Sequence, residues 1–159
     1  LRLFTKEELQ LVKAATQKAE HFVRRYYVLA PREWNHIHYE VKTQTELEPT
    51  EMLDSVLAQV VCYQYVRKIN EKPQHKDLYC ICLQDRKIIH TFNKTSVDLF
   101  HLLLYVLTHE LVHVVRFGQQ LQRIDLPLTE RAREEEFVET ITQRILHSHN
   151  YLPNKIILS

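Results

Sequence analysis

The chain has 159 residues, 45% of them apolar and 26% charged, which suits one globular domain and is too apolar for a disordered one. Lys and Arg number 21 against 20 Asp and Glu, a formal net charge of +1, so the basic excess of a phosphate-binding protein is missing and neither nucleic acid nor a membrane surface is expected as a partner. A single glycine excludes Gly-rich phosphate loops, and the longest apolar run, residues 102–107, falls far short of the ~20 residues that span a bilayer.

Taken in chain order, residues 7–28 predict a helix. Thr5 and Glu8 form a capping-box pair, and Leu9, Val12, Ala15, Ala19, Phe22 and Tyr26 recur at helical spacing until Ala30-Pro31 stops them. Ile37, Tyr39, Val41 and Thr43 alternate with polar residues and predict a strand. Pro49 opens a second predicted helix over residues 50–70, carrying Leu53, Val56, Leu57, Val60, Val61, Tyr65 and Ile69. Residues 78–83 and 87–92 read as a β-hairpin turning at 84–86.

A third helix is predicted over residues 96–117, with Gly118 as its left-handed terminal residue. The last covers residues 129–147, with Thr129 as N-cap. Residues 152–158 add a strand or lie on the surface. Without repeats or linkers, residues 1–159 form one domain of the α+β class, about four helices with a small, mostly antiparallel sheet. Cys62, Cys80 and Cys82 read as free thiols of a reducing compartment, and no signal-peptide pattern is visible, so a cytoplasmic location is expected.

Ten histidines direct attention to metal chemistry. The third helix contains His109-Glu110-Leu111-Val112-His113. Residues i and i+4 stand one turn apart on one helix face, so both imidazoles can reach one Zn²⁺. Glu110 is rotated by about 100° from His109, beside a metal-bound water rather than forced onto the metal. The surrounding Leu107, Leu111, Val112, Val114 and Val115 predict a buried helix, in which two histidines and a carboxylate need compensation. The bland alternative is a His-Glu-His ladder on a wet helix face. Two histidines do not complete a site, and the last helix supplies further ligands in Glu134, Glu135, Glu136 and Glu139.

His109 to His113 followed by Glu135-x-x-Val138-Glu139 resembles the gluzincin zinc peptidases, and the predicted element order is similar to the minimal members of that family. The match covers about thirty residues, 107–141. The resemblance implies a zincin-like fold, Zn²⁺ on His109, His113 and Glu135, and Glu139 supporting a ligand histidine. Val138-Glu139 departs from the family's small residue followed by Asp or Asn. Apolar periodicity points elsewhere: the stripe Phe137, Val138, Ile141 and Ile145 centres nearer Glu134 than Glu135. Glu134, Glu136 and Glu139 therefore stay open as third ligands. His101 and Tyr105 continue the His109 face as packing residues, and His147, His149 and Tyr151 could reach the cleft.

The expected function is a zinc-dependent endopeptidase acting on peptides or unfolded proteins, with Glu110 as general base toward the metal-bound water. A metal-binding but inactive regulatory or peptide-binding protein, and a metal-free helical partner-binding domain, are the alternatives. Self-association and autoinhibition by the C-terminal tail are further expectations about partners.

Overall fold

Helix α1 (Lys6–Tyr26) begins at the expected capping box. In the computed structural model, which describes residues 2–121 and 125–151, the Glu8 N–H donates to Thr5 Oγ1 at 3.2 Å and the Thr5 N–H to Glu8 Oε1 at 2.9 Å. Its apolar stripe, Val12, Ala15, Ala19, Phe22 and Val23, is buried along helix α4 (Leu99–Gly118). Helix α2 (Pro31–Trp34) is a single turn that buries Trp34 before strand β1 (His38–Lys42).

The segment predicted as the second helix is not one. Pro49–Glu51 makes one 3-10 turn, and Ala58–Ile69 is strand β2, antiparallel to β3 (Lys72–Leu83). The reason lies in residue type. Val60, Val61, Cys62, Tyr63, Tyr65 and Val66 are β-branched, aromatic or thiol side chains that suit a pleated surface better than a helix. Near its base, β2 packs apolar residues on both faces, so its pattern imitates helical spacing. Asn70 (φ 53°) and Glu71 (φ 63°) make the two-residue turn, both left-handed, as hairpins with a matching twist require.

The expected strand at 87–92 is helix α3 (Asp85–Asn93), burying Ile88 and Ile89 on one side. Asp85 anchors its start: the carboxylate accepts from the Phe4 N–H at 3.0 Å and the Gln44 N–H at 2.9 Å. The predicted hairpin is thus displaced, formed by β2 and β3. Strand order is β1-β3-β2, with β1 parallel to β3, so the sheet is mixed. Tyr79, Ile81 and Leu83 face the main core, while Cys80 and Cys82 face the other way, under Leu47. All three cysteines are free, two of them buried.

Among the described residues, the outcome is an α+β domain of five helices and a small three-stranded sheet. Helix α4 is its axis. By length and composition alone α4 could cross a bilayer, but 78% of that window is buried within the domain, as in a core helix. Gly118 has no left-handed φ; a Cβ there would lie 3.0 Å from Ile37 Cγ1, so close approach is what it permits. The left-handed residue is Gln120 (φ 59°). Helix α5 (Leu128–Ser148) starts at Pro127, which places Thr129 inside the helix rather than at its cap. The expected tail element at 152–158 lies outside the described residues.

Candidate metal centre

Asp98 starts α4 by accepting the His101 N–H at 2.8 Å, and the helix then carries His109 and His113 on one face, their ring centroids 5.1 Å apart. Helix α5 packs against this face and delivers Glu135. His113 Nε2 lies 2.8 Å from Glu135 Oε1, and His109 Nε2 lies 3.2 Å from Glu135 Oε2. One potential ligand atom from each of the three residues falls within 4.8 Å of the others.

Glu139, one turn further along α5, stands behind His109. Its Oε2 is 3.1 Å from His109 Nδ1. Its Oε1 accepts from the Tyr105 hydroxyl and, at 3.0 Å, from Gln143 Nε2. One oxygen is thus held by α4 and α5 together, leaving the other to fix the histidine ring with Nε2 toward Glu135. Such outer partners set ring orientation and tautomer in metal sites.

The remaining glutamates separate cleanly. Glu134 is claimed by Arg116, whose Nε and guanidinium terminus both donate to its carboxylate, the latter at 3.3 Å. The same guanidinium lies 4.5 Å from the Phe137 ring centroid. This explains why apolar periodicity pointed at Glu134: it faces α4, but toward an arginine. Glu136 is exposed and takes no part. The structure therefore brings His109, His113 and Glu135 together with Glu139 behind, and leaves Glu134 and Glu136 outside.

Glu110 is 8% exposed, and among the described residues its carboxyl has no hydrogen-bond partner. Burial pushes it above the usual carboxylate range, against the pull of His109 and His113. Its carboxyl oxygens keep a little contact with solvent, unlike Tyr27 Oη and Thr108 Oγ1, which are fully buried without a hydrogen-bond partner among the described residues. The neighbouring groups show the same unfinished electrostatics. Burial alone would lower His109, but its hydrogen bonds to the Glu135 and Glu139 carboxylates overcome it and raise the imidazole to about 10. His113 is raised against its burial in the same way by Glu135. Burial opposes ionisation of Glu135 as well, yet the two histidines hold it far below the usual range. Glu139, likewise buried in part, is brought down to about 2 by His109, Gln143 and Tyr105. Without a metal, the neighbouring carboxylates thus favour the charged form of both imidazoles, and metal binding competes with those protons.

No family model, curated protein or solved structure matches this chain. The site has to be read from its own geometry. Two imidazole nitrogens and a carboxylate oxygen, converging from two helices, form a donor set suited to Zn²⁺. The Glu135 side chain is 55% exposed against 9% for His113, so the cluster opens to solvent on the glutamate side. These residues fit the metal.

Sequence reasoning does not find Tyr105 and Gln143 as parts of the site, or Arg116 as the partner that holds Glu134 away from it. For Tyr105 the signal was present in its place four residues before His109, on the same face; it is buried, and packing is only half of its role. His101 instead pairs with Asp98 at 2.7 Å. His149 stacks on Phe22 of α1 with centroids 3.9 Å apart, and Tyr151 lies 5.8 Å from the same ring. Both belong to the α1 contact and not to the metal centre. His113 also stacks on Phe117 at 6.1 Å, and Phe117 on Tyr79 of β3 at 6.0 Å, which ties the centre to the sheet.

Proposed function

We propose that this protein is a zinc-dependent peptidase that hydrolyses peptide bonds in peptides or unfolded proteins. The observation carrying this reading is the convergence of His109, His113 and Glu135 beside Glu110, a largely buried carboxyl that accepts no hydrogen bond among the described residues. His109 and His113 would bind Zn²⁺ through Nε2, and Glu135 through its carboxylate. Bound there, the ion supplies a Lewis acid that polarises a peptide carbonyl and acidifies water. Glu139 keeps the His109 Nδ1 proton in place, so that Nε2 offers its lone pair. Glu110 stands one residue from His109, where it can take the proton of an attacking water and return it to the departing amine. The cluster is buried on its histidine side and opens to solvent at Glu135, the side from which a peptide would approach. Three free thiols suit a reducing, cytoplasmic setting.

The test pairs wild type with Glu110→Gln, both zinc-loaded, on unfolded casein and on short peptides. Glu110→Gln preserves size and should preserve zinc content and melting temperature, while activity falls by about 10²–10⁴-fold. Equal cleavage by both proteins would assign the activity elsewhere. Zinc bound by both without any cleavage would make this a metal-binding protein that does not hydrolyse peptides.

A further inference from the structure

The β2–β3 hairpin is longer than the core needs. Beyond Cys62 and Tyr79 its outer residues are mostly exposed, so each strand projects some six or seven residues past the packed part of the sheet. Register and alternation sort this arm into two faces. Tyr65, Arg67 and Ile69 stand on one face opposite Lys76, Gln74 and Lys72. That face carries three cations and no carboxylate. Among the described residues, Arg67, Lys72 and Lys76 make no ion pair and no side-chain hydrogen bond. Tyr65 and Ile69 leave 43% and 41% of their surface exposed between them. In a chain of net charge +1, this is a local concentration of unanswered positive charge.

A second feature lies beside it. With order β1-β3-β2, the outer edge of β2 pairs with nothing among the described residues. Its N–H and C=O groups form an open row, the surface to which extended polypeptides add. A polynucleotide could use the cations but would leave that row unsatisfied; an extended polypeptide uses both. We propose that the outer half of the arm docks an extended acidic segment of another protein. The segment adds along β2 as a fourth strand, with Asp or Glu at every second position on the cationic face. Arg67 stands on β2 itself, next to the incoming strand. Lys72 and Lys76 lie one strand further, about 5 Å more, within reach of their long side chains. The cationic face continues the side of the sheet that Leu47 covers, opposite the helices, so this docking does not depend on the metal centre or on peptidase activity.

The experiment is fluorescence anisotropy of a labelled ten-residue peptide, Glu at alternate positions and Thr or Val between, titrated with the full chain at low salt. Binding should weaken about tenfold or more in R67Q/K72Q/K76Q, stay within about threefold in R67K, and fall steeply as salt is raised. A peptide of equal charge with proline at the intervening positions should bind at least tenfold more weakly, because it cannot pair with the strand edge. That peptide needs only wild-type protein, so it decides the matter even if the triple variant does not fold. The proposal is overturned if wild type does not bind the alternating peptide or if a folded triple variant binds it equally. It is also overturned if the proline peptide binds as well, or if a ten-nucleotide single strand binds more tightly.

Discussion

Two carboxylate clusters lie in this domain, and they are built on opposite terms. Glu51, in the single turn that caps the sheet, is fully buried. Its carboxylate accepts from the Tyr63 hydroxyl, from Lys42 Nζ at 3.3 Å and from the Glu48 N–H at 2.8 Å. Even its carbonyl oxygen is used, by Gln59 Nε2 at 3.2 Å and Gln84 Nε2 at 2.9 Å. The charge is answered by the chain itself. At the candidate metal centre Glu110 accepts no hydrogen bond among the described residues, and one carboxylate, Glu135, serves two histidines. The first cluster is closed by the chain itself; the second opens to solvent at Glu135 and, on the proposed reading, is completed by a metal. The comparison predicts that the first responds to mutation in stability and the second in metal affinity.

The largest effect expected is at Glu135. Glu135→Ala should lower zinc affinity by well over the ~10–100-fold typical of outer partners, measured by competition with a chromophoric chelator. Glu134→Ala should leave affinity within about threefold, since Arg116 and not the metal cluster holds that side chain. Reversal of the two would place the third ligand one residue earlier and dissolve the open cluster as described.

Next comes Glu139. Glu139→Ala frees His109 Nδ1 and should weaken zinc by ~10–100-fold. Tyr105→Phe removes one of the two donors to the other oxygen and should cost less, because Gln143 remains. If Tyr105→Phe weakens zinc as much as Glu139→Ala, the tyrosine and not the glutamate orients the ring.

How much of this contrast could be read beforehand differs between the clusters for a physical reason. The metal centre is mostly local: His109, Glu110 and His113 need only the pitch of a helix, and Glu135 with Glu139 repeats that spacing on α5. What was illegible was the arginine that claims Glu134, a contact between helices 18 residues apart in sequence. The Glu51 cluster is wholly non-local, since Lys42, Glu51, Tyr63 and Gln84 meet only once the strands pair. It was hidden further because residues 50–70 fit a helical template, which would have scattered Glu51 and Tyr63 onto different faces. The β-branched and aromatic content of 58–66 was the signal against that template. The overall α+β class survived the error because a hairpin was expected nearby; the displaced strand and α3 exchanged roles.

The closed cluster offers the third test. Glu51→Gln keeps the shape but loses charge-assisted bonds, and should destabilise the domain by ~1–3 kcal/mol in urea unfolding. Zinc affinity should not change. A loss of zinc without a loss of stability would show that Glu51 acts on the metal centre across the sheet.

The smallest effect is the most specific, because it reads the charge rather than the shape. The Tyr63 hydrogen bond, helped by the Glu48 N–H and Lys42, outweighs burial and holds Glu51 below the usual carboxylate range. A group depressed on folding contributes stability that is complete above its unfolded pKa of ~4.3. That stability drains away as pH falls through the lower folded value. Wild type and Glu51→Gln should therefore differ by a constant amount above about pH 5 and converge as the pH drops toward 3. Glu8, lowered to about 2 by Arg2 and the Thr5 cap, also steepens the acid limb, but equally in both proteins, so the difference isolates Glu51. Urea midpoints at half-unit steps from pH 7 to 3, on chelated protein so that zinc release does not intrude, measure it. A gap that stays constant down to pH 3 would mean that Glu51 titrates alike in the folded and unfolded chains, and a gap that moves in favour of wild type as the pH falls would mean that the buried carboxyl is protonated in the folded state. The closed cluster would then be a neutral hydrogen-bond network, and its contrast with the metal centre one of packing and not of charge.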